Sequence, residues 1–355
     1  MSDIELVESA SDKNGNVAAP VSQSELQADP ADHPYATLSP DLVLSAAEAL
    51  GFETDARIFA LNSYENRVYQ VGLESGPSLI MKFYRPGRWS DEQILEEHAF
   101  TAELASLEIP VAAPLSVEGN TLCFHEGFRI AVFERLAGRA VDLENPDDLL
   151  SMGRFVGRLH AVGAQTKFND RPHLSVERFG WQSRHFLLEN NVLEPEMRRA
   201  YETLSEDLLR VVERRFADAG SQATLRLHGD CHMGNVLWRD DTPHFVDFDD
   251  TLSGPAIQDL WMMLSGNRDQ QQAQLLELVE GYNEFYEFRP AELALIESLR
   301  TLRLMNYSAW LARRWSDPAF PLSFPWFNTP RYWSQHILEL REQLAVLDEP
   351  PLRLI

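Results

Sequence analysis

The run His228-Gly229-Asp230-Cys231-His232-Met233-Gly234-Asn235 sets a carboxylate two residues after a histidine, and an amide five residues beyond that carboxylate. A second carboxylate, Asp247, follows the apolar pair Phe245-Val246 and is itself followed by Phe248-Asp249. Phosphoryl transfer needs such a set. One carboxylate must take or orient the proton of an attacking hydroxyl, and hard oxygen ligands must hold a divalent cation against the β- and γ-phosphates. Asp230 is the candidate for the first task. Asn235, from the same loop, and Asp247, from the neighbouring strand, are the candidates for the second. A cation to fix the α- and β-phosphates is also required. Lys82 ends the apolar strand Leu79-Ile80-Met81-Lys82 and is one of only three lysines among 31 basic residues. The helix that follows should bring a glutamate to Lys82, with Glu97 preferred and Glu96 the alternative. His228, Asp230, His232 and Asp247 could instead form a hydrolytic metal cluster, but that leaves Lys82 without a task. A catalytically dead nucleotide-binding module is weakened because every group needed for the chemistry is present.

Positioning these groups takes two kinds of structure. Ser39-Pro40 reads as N-cap and first helical residue, and Gly51 as the stop of a short helix. Strand-like runs follow at 56–61, 67–73 and 78–84, separated by turn residues at 62–66 and 74–77. Ser90-Asp91-Glu92-Gln93 is a capping box that opens a helix running to about Leu107. Two more strands, 121–125 and 128–134, complete an antiparallel pattern of five strands with one inserted helix. After Gly138 the apolar spacing turns helical at 147–164, 194–217, 256–264, 270–287, 291–315 and 331–346, interrupted by the strand-rich stretch 224–250. The expected fold is α+β and bilobal. A small β-rich lobe spans 37–134 and a larger, mainly helical lobe spans 135–355, with residues 1–36 as a disordered acidic tail.

Composition excludes several alternatives. The 355 residues carry a net charge of −24, which argues against nucleic acid or an anionic membrane surface as a partner. Two cysteines, Cys123 and Cys231, fit a reducing compartment. No apolar run approaches a membrane span, and the N-terminus lacks the pattern of a signal peptide. A cytoplasmic monomer is the expectation.

The frame H-x-D-x-x-x-x-N followed by a strand-borne Asp, with a strand-ending Lys upstream, is the order found in kinases. The chain resembles the aminoglycoside and choline phosphotransferase type of kinase-like fold, and within it the stress response kinase A type of bacterial Ser/Thr protein kinase. The supporting stretches are 61–69, 82–86, 225–232, 258–261 and 309–315, and the likeness covers about 38–353. The resemblance implies ATP as donor, Mg2+, and a protein Ser/Thr acceptor. A small-molecule kinase of the choline, homoserine or aminoglycoside type is the alternative, because it would use the same groups. It also implies that Ser63 contacts the donor's phosphates, and that the backbone of Glu134 and Leu136, in the interlobe hinge, binds adenine. Two departures stand out. The loop 62–66 has no glycine where protein kinases carry a Gly-rich loop. Asp247-Phe248-Asp249 lacks the glycine of D-F-G, and the few residues before the next helix leave no room for a phosphorylatable activation loop. Among weaker candidates, His228 and Asp259 should orient the catalytic loop. His232 and Asp249 read as structural, with contact to the metal as the alternative, and Cys231 as a buried small side chain. The stretch Trp310 to Trp315 reads equally as helix core or as a wall of the substrate cleft.

Overall fold

The computed structural model describes residues 33–220 and 224–354. Residues 1–32 of the expected tail lie outside the described residues. Residues 33–36 do not belong to a tail. Tyr35 is buried against the small lobe's core, and its hydroxyl donates to the carbonyls of Phe83 (3.1 Å) and Glu65 (3.2 Å). A lone aromatic in a polar stretch gives no periodicity to read, which is why order starts earlier than the sequence suggests.

Helix α1 (Pro40–Ala49) precedes strands β1 (Thr54–Ala60), β2 (Arg67–Leu73) and β3 (Leu79–Phe83). Helix α2 (Asp91–Ser106) is inserted before β4 (Cys123–His125) and β5 (Phe128–Glu134). The five strands form one antiparallel sheet in the order β1-β2-β3-β5-β4. Strand alternation explains where Lys82 points. Leu79, Met81 and Phe83 pack with Val71, Ile130 and Val132 beneath Val43, Ala46 and Ala47 of α1. Lys82, paired in register with Val68 and Ala131, therefore faces the opposite side, where α2 lies. The capping box opening α2 is formed: Ser90 Oγ accepts from Gln93 N–H, and Gln93 Oε1 accepts from Ser90 N–H. The buried stripe of α2 is Ile94, Glu97, His98, Thr101 and Leu104, so helical spacing turns Glu97 inward.

The large lobe contains α3 (Pro146–Gly163), α4 (Gln182–Glu189) and α5 (Pro195–Asp218). Next come β6 (Leu225–Leu227), the hairpin β7 (Val236–Arg239) and β8 (Thr242–Phe245), and β9 (Leu252–Gly254), which returns to pair with β6. Five further helices follow: α6 (Ile257–Trp261), α7 (Arg268–Asn283), α8 (Ile296–Arg314), α9 (Ala319–Ser323) and α10 (Pro330–Val346). Several stretches differ from the sequence reading. Helix α4, entered through a π-turn at Glu177–Trp181, and the short α9 fall where the sequence reading has no helix, and β9 lies just past the expected strand-rich stretch. The stretch 291–315 divides into a 3-10 segment, Pro290–Leu295, and α8.

Candidate active site

The catalytic-loop candidate lies between β6 and β7. Gly229 has φ +87°, and a Cβ there would overlap the carbonyl oxygen of Asp250, so only glycine fits this turn. The loop is held from α6. The two carboxylate oxygens of the fully buried Asp259 accept the backbone N–H of His228 (2.8 Å) and Gly229 (2.9 Å). Asp259 in turn pairs with His160 at 3.1 Å, and His160 reaches the hydroxyl of Tyr282 at 2.9 Å. His228 Nε2 lies 2.9 Å from the carbonyl of Val246, tying the loop to the segment that carries Asp247. His232 accepts the N–H of Gly234 at 2.9 Å. His228 is thus committed to backbone, while His232 uses Nδ1 on Gly234 and turns Nε2 toward Asp230.

Each oxygen of Asp230 has a neighbour. Arg303, from α8, donates to Oδ1 at 2.7 Å, while Oδ2 faces Asn235 Nδ2 at 3.5 Å and His232 Nε2 at 3.4 Å. Burial pushes this carboxyl up, but Arg303 and His232 outweigh burial and hold it well below the usual carboxylate range. Asp230 is therefore an anion. Asn235 also donates to the Asp230 carbonyl at 3.0 Å, and the Asn235 carbonyl accepts from Val246 N–H at 3.0 Å.

Lys82, 5% exposed, is the hub of the opposite wall. Its Nζ lies 3.0 Å from Asp247 Oδ1, 3.2 Å from Asp249 Oδ1 and 3.8 Å from Glu97 Oε1. Burial disfavours the ammonium, yet these three carboxylates keep its pKa raised. Asp247 sits in the left-handed region (φ 58°), which re-aims its side chain outward so that 54% of it is exposed. Glu97 is pushed up to about 7, by burial first, against the attraction of Lys82. The structure thus turns Glu97 to Lys82. Glu96 does something else: its oxygens accept the backbone N–H groups of Asn169 (2.6 Å), Asp170 (2.9 Å) and Arg171 (2.7 Å), pinning α2 to the large lobe. Asp249 is buried against Lys82 and Arg88, and the guanidinium of Arg171 donates to its carbonyl at 2.5 Å. Burial likewise raises the Cys231 thiol, consistent with an inert core side chain.

A divalent cation fits the donor set. Asn235 uses its amide nitrogen on Asp230, leaving its amide oxygen without a protein partner among the described residues, and one oxygen of Asp247 is likewise unclaimed. An amide oxygen and a carboxylate oxygen are the hard ligands such a cation prefers. The remaining candidates are less engaged. Ser63 Oγ donates to the carbonyl of Asn66 at 3.1 Å, closing its own loop. Glu134 ends β5 opposite Leu79, and the Leu136 N–H has no protein partner among the described residues.

Sequence reasoning missed Arg303, Arg88 and Arg171, and the anchoring role of Glu96. In a chain that defaults to arginine, none of the three carries a compositional signal, and Arg303 lies 73 residues from the carboxylate it meets. In the Trp310 to Trp315 stretch both tryptophans pack on the helical core, and Trp310 Nε1 also donates to Glu65 at 2.5 Å.

Similarity to known proteins agrees with this geometry. Residues 57–296 match the phosphotransferase enzyme family. Stress response kinase A of Escherichia coli O157:H7 is 44% identical over 320 residues, covering 90% of this chain and 97% of that protein. The serine/threonine protein kinase RdoA of Salmonella typhimurium is equally similar, at 44% over the same coverage. In three dimensions, a complex of amicoumacin kinase hAmiN with AMP-PNP, Ca2+ and Ami shares the fold. It superposes with TM-score 0.69 at 22% identity, covering 88% of this chain and 94% of that one. On these similarities the chain belongs to the phosphotransferase enzyme family and, within it, to the stress response kinase A group.

Proposed function

We propose that this chain is an ATP- and Mg2+-dependent Ser/Thr protein kinase that moves the γ-phosphoryl group of ATP to a protein hydroxyl. The observation that carries the reading is the Lys82–Asp247 and Asp230–Asn235 pairs, joined through Val246, in a chain 44% identical to proteins named as stress response and Ser/Thr kinases. Asp230 and Asp247 are the catalytic residues of this reading. Asp230, already ionised, accepts the hydrogen of the acceptor hydroxyl. The hydroxyl oxygen bonds to the γ-phosphorus as the bond to the β–γ bridging oxygen breaks, ADP leaves, and the proton stays with Asp230 or passes to solvent. Mg2+, when bound, neutralises charge on the β- and γ-phosphates, and Asn235 and Asp247 are the residues that would hold it. Engaging Asp247 in that way leaves Lys82 to the α- and β-phosphates, with Asp249 at 3.2 Å and Glu97 at 3.8 Å as its remaining tethers. Ser63 and the backbone of Glu134 and Leu136 complete the nucleotide contacts in this reading, and the lobe boundary falls at 134–135. The protein is read as a cytoplasmic monomer. In support, both cysteines are free and buried, and no helix among the described residues is long and apolar enough to cross a membrane.

The test is transfer of labelled γ-phosphate with Mg2+, comparing wild type with Asp230→Ala and Asp247→Ala. Acceptors are a generic protein mixture and, separately, choline, homoserine and aminoglycosides. Label on protein Ser/Thr is expected, falling at least about a hundredfold in Asp230→Ala while nucleotide affinity is kept. Asp247→Ala should instead weaken binding of the metal–nucleotide complex. Label on small molecules alone would replace the protein acceptor with a small one at the same site.

A further inference from the structure

Protein kinases place the loop between their first two strands with glycines, whose backbone approaches the phosphates. Here residues 61–66 contain none, yet the loop is not left to itself. Tyr64 leaves the small lobe and packs on the aromatic cluster of the large one, its ring 4.7 Å from that of Phe324. Glu65 reaches α8: Arg314 Nη2 lies 2.8 Å from its Oε1, and Trp310 Nε1 donates to its Oε2 at 2.5 Å. Beside it, Asp317, between α8 and α9, takes two small-lobe arginines, Arg67 at 3.0 Å and Arg85 at 2.5 Å. Both guanidiniums lie over the ring of the buried Tyr35 (4.5 and 5.4 Å). Arg85 also closes on Glu65 at 3.2 Å, so the two acidic residues share one cation.

We infer that Tyr64, Glu65, Trp310, Arg314 and Asp317 form a clasp across the mouth of the cleft, which positions the glycine-free loop over the donor's phosphates and must release for nucleotide to exchange. The inference rests on the reading that ATP lies beneath this loop. Two consequences follow from its makeup. The loop is aimed by the lobe that carries Asp230, so closure of the lobes and placement of the phosphates are one event. The contacts are charged and partly buried, so breaking them should change nucleotide affinity and exchange more than the chemical step. These are positioning residues, because none touches Asp230, Asn235 or Asp247 in the structure.

Two measurements test the clasp. In steady state, Glu65→Gln should raise the KM for ATP about tenfold with kcat changed less than about threefold, and Glu65→Asp should recover part of the loss. An unchanged KM, or equal losses in kcat and kcat/KM, would overturn the positioning role. The second measurement does not depend on either variant's kinetics. In Glu65→Cys/Arg314→Cys, a short bismaleimide bridges the two new thiols, which react alone because Cys123 and Cys231 are buried. Association and release of a fluorescent ATP analogue with Mg2+ are then followed by stopped flow. Bridging should slow both by about tenfold or more relative to the unbridged variant. Equal rates with and without the bridge overturn the clasp while leaving the ATP reading intact. Failure of wild type itself to bind the analogue overturns both.

Discussion

The catalytic loop and the loop between β1 and β2 face the same cleft but are held in opposite ways. Residues 228–235 are fixed inside one lobe: Asp259 takes two of their N–H groups, Gln258 donates to the Gly229 carbonyl at 3.0 Å, and His228 reaches Val246. Every one of these partners is buried or close in sequence. Residues 61–66 are held from both lobes: Tyr35 and Arg85 of the small lobe reach the Glu65 carbonyl, and the Glu65 carboxylate meets large-lobe partners 245 and 249 residues away. The first arrangement keeps a carboxylate in place whether or not substrate is present. The second ties a binding element to the relative position of the lobes. Chemistry and exchange are thereby given to different kinds of contact: hydrogen bonds and the Arg303–Asp230 ion pair within one lobe in the first case, ion pairs across the lobes in the second.

The contrast breaks most sharply at Asp259. Asp259→Ala strands two buried N–H groups and removes the partner of His160, so the folded state should lose about 3 kcal/mol. Transfer should fall about a hundredfold even where the protein remains folded, because Asp230 loses its backbone support. Denaturant unfolding with kcat measured below the transition checks both. Glu65→Gln, by comparison, should cost less, about 1–2 kcal/mol, since the amide oxygen can still accept from Trp310 or Arg314 and Asp317 still holds Arg85. Similar losses of stability at the two positions would mean that the loops are held alike.

The same contrast decides what could be read in advance. The catalytic loop was legible because its donors, its acceptor and its glycine are clustered in one run, and because strand alternation and the capping box of α2 fix which way Lys82 and Glu97 point. Asp259 was legible as well, from its place just inside a helix. The clasp was not. Arg314 and Asp317 look like ordinary surface charges of a helix and its end, and only the docking of one lobe on the other gives them Glu65, Arg67 and Arg85 as partners, while Arg303 meets Asp230 within the large lobe, 73 residues away in sequence. Tyr35 escaped for a different reason: it is a lone aromatic in a polar stretch, and its partners, the carbonyls of Glu65 and Phe83, lie 30 and 48 residues on within the same lobe. Glu96 is the intermediate case. Helical spacing turns it away from Lys82, but nothing local shows that three N–H groups of residues 169–171 await it. Glu96→Ala should lower kcat about tenfold with little change in the KM for ATP, through loosening of Arg171 from Asp249 and Glu97. A change confined to KM would place Glu96 with the clasp instead.

The smallest expected effect separates what the loop does for itself from what the other lobe does for it. Ser63 is the residue that resemblance to the kinase-like family assigns to the phosphates, but its hydroxyl already donates to the carbonyl of Asn66 at 3.1 Å. A hydroxyl spent on closing a turn adds little to a ligand unless it rotates away, and losing such a bond is worth about 1 kcal/mol or less. Ser63→Ala should therefore raise the KM for ATP by about threefold or less, well below the effect of Glu65→Gln. The two variants measured side by side order the contributions. If Ser63→Ala has the larger effect, the hydroxyl leaves Asn66 for the phosphates on binding, and the loop works by its own side chain more than by its tether to α8.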